Sequence, residues 1–201
     1  MSRAILISIK PEWVGKILNG EKTIEIRKTM PKCELPCKVY IYCTKNRHLA
    51  CVVNKNGAEL FYTCNNETAF IVGGYLGNGK VVAEFTLNKV DTLDICDPYV
   101  IVNDIQASWD YFEKHGLLTY EQAMDYLGGG YDNGWSKKWD TGYAWNIDNL
   151  KIYDKPKELS EFKVYDKAYD NLGAFGWAFG YVEKYHPLTR APQSWCYVEG
   201  K

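Results

Sequence analysis

Nowhere in the 201 residues does an apolar run approach the roughly 20 residues that cross a membrane, and there is no CxxC pair, no HxxxH pair and no glycine loop ending in GK[ST]. Residues 1–10 are a short apolar run stopped by Lys10 and Pro11, which fits neither a membrane span nor a secretory signal. A cytoplasmic protein with no membrane partner is therefore expected. Seven cysteines, an odd number spread without a CxxC pair, fit reduced thiols better than a disulfide framework. Cys33 and Cys37 have a metal-like spacing but lack a second pair, and His48, His115 and His186 are scattered, so no metal and no cofactor is expected. Excess charge is missing as well: 24 Lys and Arg against 25 Asp and Glu leave a net charge of -1, which excludes a polybasic binder. A chain that is 46% hydrophobic and 24% charged, with no repeat or heptad, is neither disordered nor fibrous. Its length suits one domain, residues 1–201, with its own core and room for insertions.

What is present is unevenly spread. Residues 1–55 carry eleven Lys and Arg against four Glu, a balance of +7, so the remainder carries -8. A local positive segment attracts phosphates even in a neutral protein, unless strand neighbours cancel it. Residues 4–9 read as a buried strand, and Pro11 opens a helix in which Trp13, Val14, Ile17 and Leu18 share one face and which stops at Gly20. A strand over 22–28 follows, with Ile24 and Ile26 on one face and Thr23, Glu25 and Arg27 on the other, a polar row on a half-buried strand. Strands are expected at 38–44, with Val39, Ile41 and Cys43 inward, at 49–53, 59–64 and 68–72, and at 80–90.

Residues 91–132 hold nine acids and read as an acidic helical insertion. One helix is expected at about 107–114, and a second opens on the capping-box pattern Thr119-x-x-Gln122 and runs to Gly128-Gly129-Gly130, a loop rather than a nucleotide site. Residues 143–153 read as one long strand. Between 165 and 185 lies an aromatic insertion, where Phe175, Trp177, Phe179 and Tyr181 alternate with Ala and Gly.

Several of these segments together resemble the ASCH domain of the PUA-like superfamily. They are Leu6-Ile7-Ser8-Ile9-Lys10-Pro11, the helix end Ile17-Leu18-Asn19-Gly20, the signature Gly20-Glu21-Lys22-Thr23-Ile24-Glu25-Ile26-Arg27, the strands KVYIYCTK and GKVVAEF around Glu84, and Tyr143-Ala144-Trp145 leading to Lys155-Pro156. The ending Arg190-Ala191-Pro192-Gln193-Ser194-Trp195-Cys196-Tyr197-Val198 looks like that of phage and prophage members. The resemblance implies an α+β fold, a small twisted β-barrel of five to six strands with flanking helices, and a cleft lined by the signature. It also implies binding of RNA or a modified nucleotide, with a regulatory role. One branch of the family is an acetylcytidine amidohydrolase using a Lys, a Thr nucleophile and a Glu. Lys22 matches its lysine, but the Thr falls where this chain has Glu25.

The expected ligand-binding residues are Lys10, Lys22, Thr23, Glu25, Arg27, Glu84 and Trp145. Cations would engage phosphate and Glu25 a base N–H, unless Glu25 and Arg27 simply pair in a solvated ladder. Trp135, Trp139 or Trp145 would stack on a base. Two alternatives stand beside binding. The first is a hydrolase of a nucleic acid or acylated nucleoside with Lys22 and Glu25 as acid and base, although no hydroxyl or thiol has an evident base beside it in the sequence. The second is a phage protein whose acidic 91–132 segment contacts a host protein.

Overall fold

The apolar run at the start of the chain forms β1 (Arg3–Ile9), six of whose seven residues are buried. The computed structural model describes residues 3–62, 73–96, 99–127, 140–165 and 185–200. After β1 come α1 (Pro11–Leu18), β2 (Ile24–Arg27), β3 (Cys37–Cys43), β4 (Leu49–Asn54), β5 (Gly57–Tyr62), β6 (Tyr75–Leu76), β7 (Val81–Leu87) and β8 (Val90–Cys96). They are followed by β9 (Tyr99–Val102), β10 (Ile105–Ala107), α2 (Asp110–Gly116), α3 (Tyr120–Leu127), β11 (Asp140–Asn146), β12 (Asp148–Lys157), β13 (Lys163–Tyr165), β14 (Tyr185–Pro187) and β15 (Trp195–Glu199). The described residues are thus mostly sheet with three α-helices, an α+β protein as expected. They group into two compact units, one of Met1–Asn19, Cys37–Phe85 and Leu150–Lys201, the other of Gly20–Pro36 and Thr86–Asn149.

In the first unit five strands lie in the order β12-β7-β3-β1-β15. β1 runs parallel to β3, with Ile5 opposite Val39, and antiparallel to β15, with Ile5 opposite Tyr197. Parallel central strands are covered on both faces. This corrects the expected alternation of β3: Tyr40 and Tyr42 are buried as well as Val39, Ile41 and Cys43. Leu6, Tyr40, Tyr42, Val81, Tyr153, Phe162 and Val198 form one apolar cluster. Three further strands pair as β5-β4-β6, and the Asn19 amide after α1 ties them down by bonding the Ala58 N–H and C=O.

In the second unit the order is β10-β9-β8-β11-β2, antiparallel throughout. Ile24, Ile26, Leu93, Ile95 and Ala144 give the sheet an apolar face on which Trp109, Phe112, Ala123 and Leu127 pack. Gly142 lets α3 approach, since a Cβ there would stand 2.7 Å from Leu127 Cδ1. The two expected helices are α2 and α3, but the described residues between 90 and 107 are strands rather than helix: β8, β9 and β10 pair in sequence there. The strand expected over 80–90 likewise stops at Leu87. The single strand expected over 143–153 is two, parted at Ile147, whose N–H donates to the Thr23 carbonyl at 2.9 Å. The expected strand at 68–72, the triplet 128–130, Trp135, Trp139 and residues 166–184 of the aromatic segment lie outside the described residues.

Candidate functional site

Strand alternation divides β2 as the sequence predicts, Ile24 and Ile26 entering the apolar cluster. The opposite face differs from expectation. All four residues of β2 are buried, and so is Lys22 just before it, with exposures of 2% for Lys22, 8% for Glu25 and 7% for Arg27. The solvated ladder is thereby replaced by a buried ionic cluster. Part of the cause lies in β11, where Trp145 stands opposite Glu25 and Tyr143 opposite Arg27, and directly opposed residues share a face.

Within the cluster one carboxylate serves two cations. Glu25 Oε1 lies 3.0 Å from Arg27 Nη2, and Oε2 lies 3.5 Å from Lys22 Nζ. The Lys22 ammonium also donates to the Gly116 carbonyl. The Thr23 N–H donates to the His115 carbonyl at 2.9 Å, and Thr23 Oγ1 lies 3.0 Å from His115 Nδ1. Both carbonyls belong to the last turn of α2, where backbone acceptors have no helical partner and the helix dipole is negative. Leu117 closes that turn in the left-handed region, φ 55°, its N–H bonded to the Glu113 carbonyl.

The cluster carries one positive charge in excess. Burial pulls the Lys22 ammonium below its ordinary 10.5, Glu25 opposes this and Arg27 adds to it. Beside the cluster stands Tyr126 of α3, its hydroxyl pushed up by burial and drawn back by Arg27. The Lys28 ammonium lies 5.3 Å from the Tyr126 ring centroid. A low-dielectric site with surplus cationic charge suits an anionic group, because each interaction there is stronger than in water.

Lys22, Thr23, Glu25 and Arg27 are thus brought together, with Trp145 as their neighbour. Trp145 is fully buried, so it walls the cluster and has no open face for stacking on a base. Lys10 and Glu84 belong to the first unit. Lys10 is exposed and precedes α1, its carbonyl accepting the N–H groups of Trp13 and Val14. Glu84 accepts the Tyr153 hydroxyl at 2.6 Å and lies 3.7 Å from Lys38 Nζ. β3 lies between β1, which Lys10 follows, and β7, which holds Glu84. His115, Gly116 and Tyr126 were absent from the expected set. Helix ends predictably leave open carbonyls, but nothing local says which lysine, some 90 positions away, fills them. Among the described residues no group of three or more His, Cys, Asp and Glu is placed to hold a metal, and no helix is long and apolar enough to cross a membrane.

No family model matches the chain, and no curated protein sequence matches it. Similar solved structures include the ASCH protein from Zymomonas mobilis, at TM-score 0.46 and 17% identity over 92% of this chain and 87% of that one. A single-residue variant of the same protein gives TM-score 0.45 and 16% identity over 92% and 89%. Likeness of this size carries no weight for ligand or chemistry, which stand on the residues above.

Proposed function

We propose that the chain is a single ASCH-type, PUA-like domain of the phage or prophage kind, with a small barrel, that binds RNA or a modified nucleotide in the cytoplasm. The observation that carries this reading is the buried Lys22–Glu25–Arg27 cluster, in which a single carboxylate is shared by two cations. Arg27 and Glu25 face the ligand, the first toward phosphate and the second toward a base amino group. Lys22 sits behind and holds the Glu25 carboxylate in place. The test is fluorescence anisotropy with labelled single-stranded RNA and DNA, and calorimetry with nucleotides, at low salt where phosphate attraction is greatest. Binding that Arg27→Gln weakens about tenfold, and that salt weakens further, is expected. No binding to any of them would end the reading.

A hydrolase reading is favoured by one observation absent from the sequence: the Thr23 hydroxyl does have a base beside it, His115 Nδ1 at 3.0 Å. In that reaction His115 takes the hydroxyl proton, Thr23 Oγ1 bonds the acyl carbon of an acylated cytidine, and the C–N bond breaks as the amine leaves with the proton from His115; a water molecule then cleaves the Thr23 ester, which frees the acid and restores the hydroxyl. Acyl release that persists unchanged in Thr23→Val and His115→Asn removes it.

A further inference from the structure

The first unit holds a groove of about 590 Å³ between the β4–β5 turn, the segment leading into β6, and β12. That volume lies inside the roughly 300–1,000 Å³ range of small-ligand sites. Two lysines flank it, Lys55 on the turn and Lys155 on β12. Both are exposed, and neither makes an ion pair among the described residues. Asp154 is the one acid among the lining residues, so the groove is locally positive by one charge.

Its walls are fixed before any ligand arrives. The Asn54 side chain accepts the Asn56 N–H at 2.8 Å, which sets the turn that carries Lys55. The Tyr75 hydroxyl lies 2.9 Å from the Tyr153 carbonyl and 3.3 Å from that of Val82, which pins the ring as one wall. Gly74 runs so close to β4 that a Cβ would stand 2.6 Å from the Val53 oxygen, so no other residue leaves this wall where it is. Preorganisation of this kind removes much of the ordering cost of binding.

From this arrangement we infer that the groove is a mononucleotide site, separate from the ionic cluster of the second unit. Lys55 and Lys155 take the phosphate, the Tyr75 ring packs against the base, and the Asp154 carboxylate accepts ribose hydroxyl protons. Two flexible ammonium groups suit a phosphate monoester as point charges, and a tyrosine ring accepts any base. The pairing of an aromatic wall with two open cations distinguishes a nucleotide from a bare anion.

The experiment is isothermal titration of the full chain with the four common ribonucleoside monophosphates, the matching nucleosides, inorganic phosphate and a short oligonucleotide. Saturable binding of at least one monophosphate is expected. Its affinity should fall about tenfold or more in the exposed double variant Lys55→Gln/Lys155→Gln, whose fold is checked by circular dichroism, as expected for loss of two charge contacts. Arg27→Gln should leave this binding unchanged while weakening any binding at the cluster, so the two sites fail independently. The inference is overturned by no monophosphate binding up to millimolar concentration, by unaltered affinity in the double variant, or by inorganic phosphate binding as tightly as the nucleotide. Loss of oligonucleotide binding alone in the double variant would also overturn it, in favour of a strand-tracking surface.

Discussion

The two five-stranded sheets are both closed to water at their key strands, but they bury different chemistry. In the first unit Leu6, Ile7, Val39 and Ile41 are all fully covered apolar side chains. In the second, β2 is buried as well, yet one of its faces is Glu25 and Arg27, with Lys22 beside them. Apolar burial accounts for the first arrangement through solvent release alone. It does not account for the second, because taking ions out of water costs several kcal/mol each and well-packed apolar replacements are often equally stable or better. A buried ionic cluster that stability does not demand supports the proposed role in recognition, since burial that shifts a charge, as it does for Lys22, recurs at functional sites.

The largest effect that separates the two sheets should come from removing the shared carboxylate. Glu25→Ala leaves two cations buried without their partner and is expected to cost about 3–5 kcal/mol of unfolding free energy, read from urea denaturation, and to remove ligand binding. Leu6→Ala in the first sheet should cost about 2–5 kcal/mol through lost transfer energy and a cavity, while the folded fraction binds as before. If Leu6→Ala impaired binding as severely as Glu25→Ala at matched folded fraction, the contrast between a structural and a functional sheet would collapse.

Much of this contrast could be read along the chain, but not its decisive part. Alternation over 24–27 separates the isoleucines from Glu25 and Arg27, and composition finds β1, α1 and β3. What alternation cannot say is what covers each face. Trp145 and Tyr143 reach β2 only through the β11 pairing, more than 110 residues later, so spacing alone leaves the charged face open to being a solvated ladder as well as a site. The strands between 90 and 107 were hidden for a related reason: the acids there suggest a polar helix, while Leu93, Ile95 and Val100 alternate into the apolar cluster. Ile147 interrupts a run whose composition is strand-like throughout, because its N–H is taken by Thr23.

Asp91 offers a finer division within the second sheet, as a buried charge that its own partners satisfy. Burial works against its ionised form, but Lys89, Asn103 and Asn146 hold the carboxyl below its ordinary 3.8, at 2.7, 2.6 and 3.3 Å respectively. Because the folded value lies below the unfolded one, this stabilisation is complete above pH 3.8 and is lost as pH falls through the folded value. Asp91→Asn presents an NH2 group to three donors and should cost about 1–3 kcal/mol at neutral pH, with the gap to the wild type closing in acid. Ligand binding should not change. A gap that persisted at acid pH would assign the loss to shape rather than charge.

The smallest effect tests the helices that close the apolar face of this sheet. Thr119-x-x-Gln122 forms the reciprocal capping box its spacing predicts: the Gln122 N–H donates to Thr119 Oγ1 at 3.2 Å, and the Thr119 N–H to Gln122 Oε1 at 3.0 Å. Thr119→Ala removes one of these bonds and should cost about 1 kcal/mol. Only α3 is affected, and α3 contributes Ala123 and Leu127 to the apolar cluster but no side chain to the Lys22–Glu25 pair. Hydrogen exchange should therefore quicken over residues 119–127 while binding affinity stays unchanged. If affinity fell with this exposed cap, the ionic cluster would depend on α3 order, through Tyr126 beside Arg27, and the division between the supporting and the recognising face of the sheet would have to be redrawn.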